Sequence, residues 1–458
     1  MLYTLGSMYF FTAWGDNVYM THEYENENIE LTCVVVMGLR TNESDDEFDY
    51  SMKELVSLCE ACDLDVAYEL TQSLPAPDNA TWIGSGKAEE LKMHVEANRA
   101  EFVVCLGNLS PAQMKNLQRI IGVPVWDRTN LILEIFSRRA RTGEARLQVE
   151  TAYLQYMMPR LTGMWQHLGR QGGGGGSRAN KGIGETQIEL DRRQISRRIS
   201  ELKRELTVME RTRDVQREGR SRGGYPHVAL VGYTNAGKSS LMNYLVELGD
   251  PTPDKTAGKK VFEKNMLFAT LDTSIRKIDL QGRKPFLLSD TVGFIENIPH
   301  DLIKAFRSTL SELKFADVLL IVMDSSDPHH DDHRKVTEDI LKDMDVLGIP
   351  RIYVYNKSDL RGEDMNIKNT PGSDKFYISA KTGYGVDDLL DELQSIFRKG
   401  NRIVEKVIPF ADGQIINRFH EEAEVEYENY EEDGVHIKAL CPECLAEYIE
   451  DRYSDKAE

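Results

Sequence analysis

The chain has 458 residues, enough for about three domains at roughly 150 residues each. Lys and Arg number 56 against 75 Asp and Glu, a net charge of −19, with 41% apolar and 29% charged residues. That composition excludes both a disordered chain and a membrane-spanning one and fits a folded, acidic protein. The longest N-terminal apolar stretch, Met8–Trp14, is too short to span a bilayer and is closed by Asp16. It has neither a basic leader nor a small-residue cleavage site, so no signal peptide is expected and the reading is cytoplasmic, with no membrane association. Six cysteines are too sparse for a disulfide framework. Cys59/Cys62 and Cys441/Cys444 could together offer four zinc thiolates. Cys59 and Cys62 sit in the helix-like Met52–Cys62, where positions i and i+3 share a buried face, so ordinary buried thiols are expected.

In chain order, residues 1–28 show no clear periodicity and read as an extension. The apolar run Cys33–Met37, the helix-like Met52–Cys62 and Val66–Leu70 follow. Next come Phe102–Leu106, a helix over Pro111–Ile120, and Val123–Trp126. Strands alternating with helices predict a small parallel α/β domain over 29–136. Gly84-Ser-Gly-Lys87 inside it looks like a fragment of a phosphate loop. It lacks the upstream glycine, so a turn and helix start is the expectation.

Residues 137–222 differ in kind. Leu147, Thr151, Leu154, Met158 and Leu161 follow heptad spacing, as do Ile195, Ile199, Leu202, Leu206 and Met209. An antiparallel helical hairpin results, with Pro159 expected to kink or weaken the end of the first helix and a second helix near 20 residues, about 30 Å long. Its tip holds the five glycines Gly172–Gly176, then Arg178, Lys181, Gly182 and Gly184. The segment carries 19 Lys/Arg against 10 Asp/Glu, and 17 of the 19 are Arg. Arg193, Arg197, Arg204 and Arg211 fall on one face away from the seam. Arginine forks onto phosphate and stacks on bases, so the hairpin reads as a probe for RNA.

After the apolar run Val228–Val231 comes Gly232-Tyr-Thr-Asn-Ala-Gly-Lys-Ser239, then a helix from Ser240. Strand, Gly-X4-Gly-Lys-Ser and helix make a phosphate loop: backbone N–H groups hold phosphates, Lys238 reaches β and γ, and Ser239 ligates Mg²⁺. Phe286–Ser289 runs into Asp290-Thr291-Val292-Gly293, placing Asp290 at the Mg²⁺ and the Gly293 N–H at the γ-phosphate. The strand Ile352–Tyr355 delivers Asn356-Lys357-Ser358-Asp359, and Phe376–Ile378 delivers Ser379-Ala380-Lys381. The Asp359 carboxylate can accept both guanine N1–H and the 2-amino group; adenine offers neither donor. The Ala380 N–H is read against guanine O6. The candidate nucleotide set is Gly232, Tyr233, Thr234, Asn235, Ala236, Gly237, Lys238, Ser239 and Ser240, with Asp290–Gly293, Asn356, Lys357, Asp359 and Ser379–Lys381. His329, His330, Asp331, Asp332 and His333 open a helix, where acids fit the dipole, so no metal is expected there. Ile403–Ile408 and Val435–Ala439 predict a small α+β appendage.

Leu147-Gln-Val-Glu150, Pro159-Arg-Leu-Thr-Gly-Met-Trp165, the glycine run and Gly184-Glu-Thr-Gln187 stand before the phosphate loop. With Gly84–Lys87, Leu109-Ser-Pro-Ala-Gln113 and Asp127-Arg-Thr129, the sequence resembles the HflX family of ribosome-associated GTPases over roughly residues 30–450. The resemblance implies a P-loop GTPase that binds the large ribosomal subunit and its rRNA, inserts the tip near the peptidyl transferase centre and splits stalled ribosomes. GTP hydrolysis then permits release. It also implies that Thr270 is the switch I threonine on Mg²⁺, joining Ser239 and Asp290 as metal ligands and Lys238 and Gly293 as catalytic groups. Gly182-Ile-Gly184 departs from the usual Gly-Pro-Gly of the tip, and the Cys441/Cys444 pair is not a family feature. Phe294 stands where Ras-type enzymes place a water-orienting glutamine, so slow intrinsic hydrolysis is expected. Asn235 sits where potassium-dependent GTPases place a K⁺ ligand; loop bracing is the alternative. The whole reads as an α/β protein with an N-terminal domain (29–136), a hairpin (137–222), a G domain (223–400) and a C-terminal domain (401–458). It is expected to act as a monomer on ribosomes, without DNA. Two rival functions stay open: a GTP-gated ribosome-binding assembly or silencing factor that does not split, and an RNA-remodelling NTPase using Gly84–Lys87.

Overall fold

The computed structural model describes residues 32–160, 179–221, 225–249, 267–268, 274–296, 311–361, 367–399 and 401–453. The N-terminal extension, the Gly172–Gly176 run, Leu161, Arg170, Arg178 and Thr270 lie outside them.

Strands β1 (Thr32–Arg40), β2 (Leu64–Ser73), β3 (Phe102–Cys105) and β4 (Val125–Asp127) form a parallel sheet in the order β2-β1-β3-β4. The unbroken apolar run in β1 follows from this, because a parallel sheet is covered on both faces. Val34 and Val36 pack under α1 (Asp45–Ala61) and α4 (Arg128–Arg139), while Val35 and Met37 face α2 (Ser85–Asn98) and α3 (Pro111–Ile121). Helix α1 begins seven residues before the predicted Met52, at a capping box in which Ser44 and Glu47 satisfy each other's backbone N–H. Gly84 is the N-cap of α2, its N–H bound by Gln72 Oε1 at 2.9 Å, and Lys87 pairs with Glu90 at 2.8 Å. A turn and helix start accounts for that motif. Cys59 and Cys62 lie in the core, their thiols pushed up by burial, and Cys62 Sγ donates to the Leu131 carbonyl. Cys441 is buried too; the Cys444 side chain lies outside what is described.

Helix α5 (Gly143–Met157) and helix α6 (Ala179–Ser221) make the hairpin. Leu154 packs with Ile195, Ile199 and Leu202, flanked by Leu147 and Met158, so the heptad seams do meet. Arg198 ties the two helices by a forked pair with Glu150 at 2.8 and 3.2 Å. Two expectations need correcting. Helix α5 stops at Met157 with Met158 as its C-cap, so Pro159 lies beyond the helix and does not kink it. Helix α6 has 43 residues, about 65 Å at 1.5 Å per residue, twice the expected length. The apolar seam covers only its middle; Glu, Arg, Lys and Gln, good helix formers, carry it further.

A six-stranded sheet follows: β5 (His227–Gly232), β6 (Ser274–Ile278), β7 (Phe286–Asp290), β8 (Val318–Asp324), β9 (Arg351–Asn356) and β10 (Lys375–Tyr377). Its order is β10-β9-β8-β5-β7-β6, parallel except for β6. Helices α7 (Lys238–Gly249) and α9 (Val386–Arg398) cover one face, and α8 (His330–Asp343) the other. The C-terminal part is the predicted α+β unit. Its antiparallel sheet runs β11 (Asn401–Ile408), β13 (Gly434–Pro442), β12 (Glu424–Glu431), and is packed by α10 (Gly413–Glu422) and α11 (Glu443–Arg452). Among the described residues, no helix is long and apolar enough to cross a membrane.

Candidate nucleotide site

Strand β5 ends in Gly232, and the chain turns through Tyr233–Gly237 into α7. Two glycines are required here by both space and conformation. A Cβ on Gly232 (φ +146°) would stand 2.1 Å from the Val322 carbonyl oxygen, and one on Gly237 (φ +90°) 2.2 Å from Asn356 Nδ2. Asn235 is exposed and left-handed at φ +58°, a conformation asparagine tolerates better than most residues. That turn alone accounts for an asparagine, and the described residues add nothing to the K⁺ reading.

Lys238 is buried, and its ammonium donates to the carbonyls of Gly232 (3.0 Å) and Tyr233 (2.8 Å). Burial pushes its pKa from 10.5 down to about 8, against the pull of the Asp290 carboxylate. The folded protein therefore disfavours the proton that the unfolded chain keeps. This group's stability contribution is smallest below pH 8 and recovers as pH rises from about 8 to 10.5. Phosphate anions beside the ammonium reverse the shift. Nucleotide binding at about pH 9 should then take up a proton and weaken as pH rises further. Calorimetry in two buffers of different ionisation enthalpy reads this directly; identical heats would remove Lys238 from the phosphates.

Ser239 Oγ donates to Asp290 Oδ2 at 2.6 Å, joining the first turn of α7 to the end of β7. Two hard oxygens so close are a suitable pair for Mg²⁺. Thr291 anchors its strand end by donating to the Leu230 carbonyl (2.7 Å). Beyond it the chain crosses the phosphate loop: Thr234 N donates to the Phe294 carbonyl (2.7 Å) and Phe294 N to that of Gly232 (3.0 Å). Gly293 lies so close that a Cβ would meet Thr234 Cα at 2.9 Å and Lys238 Nζ at 3.0 Å. The Phe294 ring is core, packed with Val231, Leu313 and Ile321. It anchors this segment and leaves no side chain for water at that position.

At the other end, Asn356 Nδ2 donates to the Ala236 carbonyl (3.0 Å) and its Oδ1 accepts the Ala380 N–H (2.9 Å). One buried amide thus bolts three loops together. The Ala380 N–H, expected against guanine O6, is engaged by Asn356 in this structure. Asp359 Oδ1 accepts the Ser379 hydroxyl (2.7 Å), and Lys357, left-handed at φ +61°, pairs with Asp324 (2.7 Å). The loops carrying Asn356–Asp359, Ser379–Lys381 and Gly232–Ser239 therefore converge; Thr270 lies outside the described residues.

Sequence reasoning missed what stands behind the loop. The Tyr233 hydroxyl donates to Glu54 of α1 (2.5 Å), its ring stacks on His333 at 3.7 Å between centroids, and Glu54 pairs with Arg128. The histidine cluster is part of this contact: His333 Nε2 lies 3.1 Å from the Tyr50 hydroxyl, which donates to Asp327 (2.8 Å). The available signal was slight. Glu54 shares the spacing of Leu58 and Ala61 on α1, a charge on an apolar stripe.

Three family models match the chain: GTP-binding GTPase N-terminal over residues 49–137, GTP-binding GTPase Middle Region over 139–220, and 50S ribosome-binding GTPase over 227–357. The GTPase HflX of Caldanaerobacter subterraneus is 41% identical over 396 residues, covering 86% of this chain and 88% of that one. The GTPase HflX of Escherichia coli is 38% identical over 390 residues, covering 84% and 87%. A solved GTP-binding protein of Sulfolobus solfataricus in complex with GDP is similar at 24% identity and a TM-score of 0.41, covering 80% of this chain and 99% of that one. With a GTP hydrolase's fold and relatives alike over most of their length, the chain belongs to the GTPase HflX family.

Proposed function

We propose that this GTPase acts on the large ribosomal subunit, binding its rRNA and splitting stalled ribosomes, with GTP hydrolysis permitting release. The observation that carries the reading is the two-helix arm. A soluble nucleotide hydrolase has no need of a 43-residue helix whose seam is shared with α5 over only part of its length. Arg193, Arg197, Arg204 and Arg211 are exposed along it, arranged to meet a polyanion. The matching family description, 50S ribosome-binding GTPase, points to the same partner. The divisions at 29–136, 137–222, 223–400 and 401–458 follow the three sheets and this arm.

Within the nucleotide site, Gly232–Ser240 would wrap the phosphates, Lys238 and the Gly293 N–H would meet the γ-phosphate, and Asp359 would hold guanine. Ser239, Asp290 and Thr270 would hold Mg²⁺, which when bound supplies positive charge to the β- and γ-phosphate oxygens. The chain's own part is to fix the phosphates against the N-terminus of α7 and to exclude water behind them with the buried Phe294 and Tyr233.

Light scattering of purified ribosomes with the protein and a non-hydrolysable GTP analogue tests the proposal. A fall in scattering is expected; binding without a fall would leave a GTP-gated factor that occupies ribosomes intact. Arg193, Arg197 and Arg204 to Ala should weaken ribosome binding and flatten its dependence on salt. Each lost phosphate contact removes about 0.7–0.9 from the slope of log K against log salt. An unchanged slope would take the arginine face out of the interface.

A further inference from the structure

The segment that closes over the phosphate loop is held from two sides by the N-terminal sheet unit. The Glu296 N–H donates to the Tyr233 hydroxyl (2.9 Å), and that hydroxyl donates to Glu54 Oε1 (2.5 Å). The Glu296 carbonyl accepts from Arg128 Nη2 (3.3 Å), and the same guanidinium pairs with the other oxygen of Glu54. Both backbone groups of Glu296 therefore end, through one intervening side chain, on Glu54. The Arg128 and Glu54 side chains are only 6% and 8% exposed, so water neither screens the pair nor replaces a lost partner. Tyr233, Val292 and Ile295 share one apolar cluster with Phe48, Met52 and Ile132, so the contact is packed as well as hydrogen-bonded.

The same segment stands where an incoming phosphate must go. Gly293 would place a Cβ 3.0 Å from Lys238 Nζ, and Phe294 is paired by its N–H and its carbonyl to Gly232 and Thr234. A phosphate group that touches both Lys238 and the Gly293 N–H needs about 3 Å of hydrogen-bond distance to each. It cannot enter while Gly293 sits against the ammonium. Room is made by moving Gly293–Glu296 outward, which draws Glu296 off Tyr233 and Arg128.

We propose that Glu54 is a positioning residue for the nucleotide reaction: with Arg128 and through Tyr233 it holds Gly293–Glu296 shut on the phosphate loop, and the γ-phosphate releases that hold together with the seating of the N-terminal sheet unit. The proposal rests on the reading of Lys238 and Gly293 as γ-phosphate contacts. A β-phosphate held by the loop N–H groups does not require the segment to move, so GDP and GTP differ in what they do to the N-terminal unit. Energy spent on opening the latch lowers GTP affinity relative to GDP.

The test uses the full chain and titrates GDP and a non-hydrolysable GTP analogue against wild type, Tyr233→Phe and Glu54→Gln. Tyr233→Phe keeps the ring stack on His333, the loop carbonyl and the Glu54–Arg128 pair, so it reports even where Glu54→Gln fails to fold. Each variant should tighten the analogue relative to GDP about tenfold, the scale of one hydrogen bond to a charged group, with GDP affinity unchanged. The double variant should shift the ratio no further than either single one, because both cut the same link. Equal changes for the two nucleotides, additive effects, or an unmoved ratio would overturn the proposal. Lys238→Ala tests the underlying site separately: it should weaken both nucleotides, and if it weakens neither, the site reading fails rather than the latch.

Discussion

Asp359→Asn should weaken GTP binding by on the order of 10²–10⁴ and turn the base preference toward xanthine nucleotides. Two hydrogen bonds to a carboxylate, from guanine N1–H and the 2-amino group, are worth about 1.5–3 kcal/mol each, which gives that range. An asparagine presents its NH₂ to a donor of guanine and leaves both unpaired; xanthine, with an oxygen at C2, accepts from it. The fold has little reason to respond. The bond that Asp359 makes inside the protein is the acceptance of the Ser379 hydroxyl at 2.7 Å, which the asparagine oxygen can also accept. Neighbouring Asn356, which bolts the phosphate loop to Ala380, is untouched. Competition by GTP and XTP against a fluorescent guanine nucleotide separates the two effects. GTP affinity equal to wild type would remove Asp359 from base recognition.

The parts of this site that sequence discloses are those carried by local chain geometry. A buried strand running into Gly232, two glycines at fixed spacing and a helix opening at Lys238 are consecutive. The conformational demand that the structure reveals at Gly232 and Gly237 is written in their lack of a side chain. The alternation of apolar runs and helices likewise implies the parallel sheet of β1–β4, and the heptads imply that α5 and α6 meet. What stays hidden falls into two kinds. Where a helix ends depends on many weak propensities, so the charged ends of α6 escape a reading that follows apolar residues alone. Contacts across the chain are hidden more deeply. Glu54 and Tyr233 are 179 positions apart, and a glutamate on a helix reads as solvated until the phosphate loop is placed beside it. The Ala380 N–H shows the same limit at short range: its position in the motif is legible, but its partner Asn356 is set by how three loops converge.

Replacing Gly172–Lys181 by a short Gly-Ser link should leave nucleotide affinity intact and abolish ribosome splitting. The groups proposed for the nucleotide lie within residues 232–381, on β5, β7, β9 and the loops they deliver, and none comes from the arm. The arm is held independently of its tip: Leu154, Ile195, Ile199 and Leu202 pack in mid-helix, and Arg198 is forked onto Glu150. Loss of the tip therefore shortens a lever without releasing it. Binding through the exposed arginines and displacement by the tip should then separate, the shortened protein still associating with large subunits in a salt-dependent way. Turnover gives a second measure. With Phe294 committed to the core, the chain has no side chain there to orient water, and large subunits should raise hydrolysis by a factor on the scale of arginine-finger assistance, ~10³–10⁵. The shortened protein should lose most of that stimulation while its turnover without ribosomes stays the same. Splitting at the wild-type rate by the shortened protein would reduce the tip to a connector between two helices and move the displacing contact to the arginine face of α6.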